Sequence, residues 1–385
     1  MTPAARYGAA IEILDQILDG VPVEKALTGW ARRSRFAGSK DRAAIRDHVF
    51  EAVRRKRSSA ALGGSATGRG MVLGLLRGQG VDPQTVFSGE GHAPAALTEE
   101  EQAAGDTPQG GAALDLPDWL LPALEQSLGD GLATYAETLQ SRAPVMLRVN
   151  LRKTTRAAAI AALEAEGITA IPASISDTAL RVTSGERKIN NAAVYQQGLV
   201  ELQDGASQAL VDALPLREGM KILDLCAGGG GKSLAIAGRV KAEIYAFDAN
   251  VARLKDLPER ARRAGVKVTI CKQPEAHGPF DLILCDVPCS GSGSWRRAPQ
   301  GKWALTADSL SEISDIQRKI LERAVAMVAD EGTLAYATCS VLDSENRAPV
   351  EAFVSNTPRW QETRHLQWLP GPEGDGFALS LLTES

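Results

Sequence analysis

The sequence predicts an α/β protein: a doubly wound sheet at the C-terminal end, preceded by a small α+β unit and an all-α N-terminal segment. Three observations carry this. From Lys221 onward, apolar strand-like runs alternate with helical stretches, the βαβ pattern of a mostly parallel sheet. One such run, Ile222-Leu223-Asp224-Leu225, leads directly into Cys226-Ala227-Gly228-Gly229-Gly230-Gly231-Lys232 and a helix. Two cysteine elements, Asp286-Val287-Pro288-Cys289-Ser290-Gly291 and Tyr336-Ala337-Thr338-Cys339-Ser340, each close an apolar run. Strand C-termini line the ligand crevice of an open parallel sheet. If the two strands are neighbours, both thiols face one site.

At the N-terminus, Ala9, Ile11, Ile13, Leu14, Ile17 and Leu18 recur at helical spacing. Glu12, Asp15, Asp19 and Glu24 interrupt the apolar positions, which excludes a signal peptide. Ser39-Lys40-Asp41-Arg42 opens another helix, with Ile45, Val49, Phe50 and Val53 inward. Residues 63–68 form a glycine loop and 71–76 a short helix. Residues 88–113, rich in Gly, Ala, Glu and Pro, read as an exposed acidic connection, and a helical pair follows to about Gln140. Strand-like pieces at 142–150, 168–171, 179–182 and 198–204, with an Ala-rich helix at 155–167, make the α+β unit. A helix at 206–214 leads to strands at 222–225, 243–247, 268–271, 282–285 and 333–337, with helices at 232–240, 251–264 and 316–329. The boundaries fall at 1–135, 136–200 and 201–385.

A chain of 385 residues holds more than one domain. No run approaches the ~18 apolar residues of a membrane span, so no membrane partner is expected. Five cysteines, all beyond residue 225, argue against a disulfide framework and for a reducing cytosol. The net charge of -4 hides an asymmetry. Residues 32–57 are rich in Arg and Lys, whereas 85–135 contain neither. The basic stretch reads either as a phosphate footprint or as a solvated helix surface.

Glycines at a strand-to-helix junction let backbone N–H groups approach a ligand closely. Gly231-Lys232-Ser233 resembles the end of a P-loop, but that loop requires glycine where Cys226 stands. The spacing of a dinucleotide loop is also absent, which disfavours a nicotinamide-dependent oxidoreductase. An Ala- and Gly-rich loop opened by Asp224 suits S-adenosyl-L-methionine, with Asp248 at the end of the next strand accepting from the ribose hydroxyls. No Cys-x-x-Cys occurs and the four histidines are scattered, so no metal is expected.

These motifs together resemble the Nol/Nop/Sun family of RNA cytosine-5 methyltransferases, and among them the RsmB type, from about Leu116 to the C-terminus. The carrying segments are Arg142-Ala143-Pro144-Val145-Met146-Leu147-Arg148-Val149-Asn150, Leu202-Gln203-Asp204-Gly205-Ala206-Ser207, the glycine loop, and both cysteine elements. Arg296-Arg297-Ala298-Pro299, Lys302-Trp303, Glu345-Asn346 and Asp375-Gly376-Phe377 complete them. The pattern departs in two places. Gly228-Gly229 stands where relatives have Ala-Pro. Lys272-Gln273-Pro274 stands where they place an adenine-binding aspartate, leaving Gln273 for that contact.

The resemblance implies a Rossmann-like class I methyltransferase sheet, an RRM-like α+β subdomain and a NusB-like RNA-binding N-terminal domain. It implies methylation of carbon 5 of a cytosine in small-subunit ribosomal RNA; separately from the resemblance, the protein is expected to be cytoplasmic and monomeric. Cys339 is the implied nucleophile, Cys289 the group that assists release, and Asp286 the acid that holds the cytosine edge. Cofactor contacts are expected from Cys226, Ala227, Gly228, Gly229, Gly230, Gly231, Lys232, Asp248, Arg253, Gln273 and Asp286. RNA contacts are expected from Arg148, Asn150, Lys232, Arg296 and Arg297. Cys226, Cys271 and Cys285 read as small buried residues. Two other functions remain open at this stage: a transfer RNA target, and an RNA-binding assembly factor that has lost cofactor binding.

Overall fold

The computed structural model describes residues 1–384. The chain forms two compact units: Met1–Arg142 together with Trp295–Leu305, and Ala143–Ser294 together with the residues from Thr306 onward. The sequence reading kept 201–385 in one piece. The excursion at 295–305 was not legible because its partners lie far away in the chain.

In the first unit, α1 (Pro3–Leu18) starts at Thr2, whose hydroxyl accepts from the Ala5 N–H. It packs with α2 (Val23–Arg33), α3 (Ser39–Arg54), α4 (Lys56–Gly63) and α5 (Gly68–Gly78) around Ala10, Ile13, Leu14, Ile45, Val49 and Leu76. Helices α4 and α5 touch backbone to backbone: a Cβ on Gly74 would lie 1.8 Å from the Ser59 carbonyl oxygen. Residues 295–305 complete this unit. Trp303 Nε1 donates to the Val53 carbonyl at 2.7 Å, Lys302 Nζ to the Arg54 carbonyl at 3.2 Å, and Arg54 Nε to the Arg296 carbonyl at 2.7 Å. The connection at 88–113 is largely exposed, as expected, but arginines tie it down. Arg69 pairs with Glu101 at 2.6 Å, and Arg77 donates to the carbonyls of Leu62, Glu101, Gln102 and Ala104. Its polar composition concealed these arginine anchors.

The second unit contains two sheets. The smaller has β1 (Val145–Val149), β2 (Thr169–Pro172), β3 (Ala179–Ser184) and β4 (Val200–Leu202) in the order β2-β3-β1-β4, all antiparallel. The helix Arg156–Ala165 covers it through Ala159 and Leu163. The larger sheet has β5 (Lys221–Asp224), β6 (Glu243–Ala246), β7 (Thr269–Ile270), β8 (Phe280–Asp286), β9 (Val328–Thr338), β10 (Trp360–Trp368) and β11 (Phe377–Glu384). Its order is β10-β11-β9-β8-β5-β6-β7. Strands β5 to β9 pair in parallel, whereas β11 runs antiparallel to β9 and β10 antiparallel to β11. These last two strands were not foreseen. Between β5 and β8 the winding reverses, which opens a crevice at the strand C-termini.

Candidate active site

The crevice is built by register. Asp286 in β8 stands opposite Ala337 in β9. Cys289 and Cys339 therefore leave neighbouring strand ends within a few residues of one paired position, and their sulfurs lie 3.3 Å apart. The two thiols are electrostatically unequal. The hydrogen bond from Cys289 favours the thiolate at Cys339 and lowers its pKa, with help from Lys232 and the Ser294 hydroxyl against burial and Asp286. The same contact, with burial, raises Cys289 well above an ordinary thiol.

Lys232, in the first turn of the helix Gly231–Arg239, places Nζ 2.7 Å from Asp286 Oδ2 and 4.7 Å from the centroid of the Phe377 ring. Burial opposes its charge, but pairing with Asp286 prevails and its pKa rises. At the end of β5, Asp224 accepts from the Ser233 hydroxyl at 2.6 Å through Oδ2. Its Oδ1 is buried and has no hydrogen-bond partner among the described residues. Burial, reinforced by Asp286, pushes this carboxyl up to about 6.

The glycine loop turns through positive φ at Gly228 (53°) and Gly230 (75°). A Cβ at Gly230 would lie 2.3 Å from Leu257 Cδ1, so only glycine fits there. The Gly228 N–H donates to Asp248 Oδ2 at 2.8 Å, and the Asn250 N–H to Oδ1 at 2.8 Å. Asp248 is buried and pairs with exposed Arg253 at 3.2 Å. An orphaned Asp224 oxygen, the Asp248 carboxylate and a backbone cradle together fit a ligand that carries ammonium, sulfonium and ribose hydroxyl groups.

The structure thus gathers Cys289, Cys339, Asp286, Lys232, the loop 226–231 and Asp248 at one sheet edge. Cys226 is half-buried beside Asp224, and burial raises its thiol, so it stays neutral. Exposed Gln273 follows β7, two strands from β5 along that edge.

Three expected RNA contacts need correction. Arg148 is buried and donates inward to the Gly231 carbonyl at 2.9 Å and to Gln203 Oε1. Asn150 Nδ2 is engaged with the carbonyls of Gly198 (3.0 Å) and Ala264 (2.8 Å). Arg296 is 2% exposed inside the helical unit, whereas Arg297 is exposed there. Arg148 and Asn150 were read as surface groups although they donate to backbone carbonyls, and Arg296 was read as one although it is buried. Conversely, Asp224, Ser294 and Phe377 had no assigned role. Asp224 was visible as the loop's first residue and Phe377 as a motif fragment. Ser294 gave no signal.

Comparison with known proteins agrees with this architecture. Residues 211–374 match the family described as 16S rRNA methyltransferase RsmB/F. Residues 116–188 match the RsmF/B-like methyltransferase ferredoxin-like domain. Ribosomal RNA small subunit methyltransferase B of Citrobacter koseri is 35% identical over 278 residues, covering 68% of this chain and 64% of that relative. The match therefore spans somewhat less than two thirds of the relative's length. The crystal structure of PH0851 superposes with a TM-score of 0.80 over 100% of this chain and 99% of its own, at 22% identity. A methyltransferase homolog from Pyrococcus horikoshii superposes with a TM-score of 0.63 over 71% of this chain and 97% of its own, also at 22% identity. These two likenesses establish a shared fold, and the sequence matches establish kinship: the chain belongs to the RsmB/F methyltransferase family.

Proposed function

We propose that this protein methylates carbon 5 of a cytosine in small-subunit ribosomal RNA, with S-adenosyl-L-methionine as methyl donor and through a covalent cysteine adduct. The observation that carries this reading is the pair of unequal thiols, 3.3 Å apart, beside the Lys232–Asp286 ion pair. When bound, the cofactor supplies an electrophilic methyl group. The glycine loop, Asp248 and Asp224 would hold it.

Carbon 5 of cytosine is a weak nucleophile. Addition of the Cys339 thiolate at carbon 6 moves electron density onto carbon 5 and prepares it for alkylation. Asp286 accepts from the exocyclic amine, and Lys232 balances the charge that develops on the ring. After methylation, Cys289 removes the carbon 5 proton, and the pair of electrons released expels Cys339 from carbon 6. The leading cause of the high Cys289 pKa is its contact with Cys339. Once the Cys339 sulfur is bonded to carbon its negative charge is gone, so that part of the rise is relieved at the step that needs a base, while burial continues to raise the thiol. The target base is unstacked or drawn from a single-stranded loop.

Cys289→Ala, incubated with RNA and cofactor, should give a covalent protein–RNA band on a denaturing gel. Cys339→Ala should give neither band nor methyl transfer. An adduct formed by Cys339→Ala would reverse the two roles. Bisulfite sequencing of ribosomal and transfer RNA with and without the gene identifies the target.

A further inference from the structure

Beneath the two sulfurs lies a carboxylate that the mechanism above does not use. Glu345 is fully buried, and its four acceptor positions are met by four donors. Oε1 accepts from the Ser290 N–H at 2.7 Å and from Gln317 Nε2 at 3.2 Å. Oε2 accepts from the hydroxyls of Ser290 and Ser340. Ser290 directly follows Cys289, and Ser340 directly follows Cys339. One side chain thus grips both cysteine loops one residue beyond each sulfur.

The surrounding bonds run in one direction. The Val341 N–H donates to Ser292 Oγ at 2.9 Å, and the Leu342 N–H to Ser340 Oγ at 3.0 Å. Since the Ser340 hydrogen is committed to Glu345, the 2.9 Å contact between Ser292 and Ser340 requires Ser292 to donate. The chain of donors therefore ends on the carboxylate, where such bonds reinforce one another. Glu345 is itself anchored, because the Tyr336 hydroxyl donates to its carbonyl at 2.7 Å. Gln317 also donates to the Pro288 carbonyl at 2.9 Å and so braces the first cysteine loop from the helix Ala307–Val325.

We infer that Glu345 is a positioning residue that sets the distance between Cys289 and Cys339 and so the contact between their sulfurs. This rests on the reading that both cysteines act on one base, but its first test does not require RNA. Replacing an acceptor of four bonds by an amide turns one of its atoms toward donors, and the loops must move apart. In Glu345→Gln, the pH midpoint for alkylation of Cys339 by iodoacetamide, read by peptide mass spectrometry, should rise by about one unit. Ser290→Ala keeps the backbone bond and should give a smaller rise. It also tests the inference if Glu345→Gln fails to fold. Turnover on RNA should fall on the order of 100-fold in Glu345→Gln, with cofactor Kd unchanged. Unchanged alkylation midpoints in the folded variants would overturn the inference. If the unsubstituted protein alkylates with the lowered midpoint but does not methylate RNA, it is the functional reading that fails.

Discussion

The Lys232 ammonium lies 2.7 Å from the Asp286 carboxylate, and the two act on Cys339 with opposite sign. The cation favours the thiolate and the anion disfavours it. Lys232→Met should therefore raise the Cys339 pKa and slow its alkylation at neutral pH. Asp286→Asn should lower the pKa and speed alkylation. Both should reduce methyl transfer by ~100-fold or more, because each also removes a group aimed at the base. Iodoacetamide pH profiles and turnover on RNA separate the two effects.

Two adjacent glycines should respond differently to alanine. Gly230 has φ 75° and its new Cβ would meet buried Leu257, so Gly230→Ala should cost about 1–3 kcal/mol and weaken cofactor binding. Gly229 is exposed, and its Cβ would meet only the end of the Arg260 side chain at 3.0 Å. Gly229→Ala should stay within about 0.5 kcal/mol. Denaturant melts and calorimetric titration with S-adenosyl-L-methionine check both.

Asp224 should make stability depend on pH. Burial raises its folded pKa to about 6, above the ordinary aspartate value of 3.8. The native state then binds more protons between these two values. The stabilising contribution is complete below the lower value and is lost as pH rises through about 6. Asp224→Asn removes this dependence. The Tm difference, variant minus parent, should therefore grow more positive from pH 4 to pH 7. A flat difference would place the titration elsewhere.

Arg148 should matter to the cofactor rather than to RNA. Its guanidinium links β1 to the Gly231 carbonyl at the start of the loop helix. Arg148→Met loses charge-assisted bonds and should weaken cofactor binding by ~10-fold. The salt dependence of RNA binding should not change, because no phosphate contact has been lost.

The local chemistry of the site was legible in the chain. A strand ending in Asp224, glycines at 228–231, and cysteines at the ends of two apolar runs each carry a short-range meaning, because strand period and turn chemistry operate over a few residues. The small antiparallel unit could be read for the same reason. The strands Trp360–Trp368 and Phe377–Glu384 could not. The second is buried on both faces and lacks the alternation that marks a half-buried strand.

Roles that depend on partners were misread. Arg148, Asn150 and Arg296 belong to conspicuous motifs and are polar, so they looked like groups for RNA. Arg148 and Asn150 donate to backbone carbonyls within the fold, since a buried carbonyl needs a donor as much as a phosphate does, and Arg296 is buried. The placement of 295–305 with the helical unit depends on Val53 and Arg54, some 250 positions away, and no local pattern encodes that.

By itself the sequence determined the alternation of strands and helices from β5 to β9, the cofactor loop and the two thiols as candidates, because these follow from residue type and short spacing. Only the tertiary structure decided that β8 and β9 are neighbours, that the sulfurs stand 3.3 Å apart, and that Cys339 rather than Cys289 carries the lowered pKa. That asymmetry comes first from the contact between the two thiols, then from Lys232 and Ser294. It exists only once distant segments are packed, because electrostatic influence falls with distance in space and is indifferent to distance along the chain.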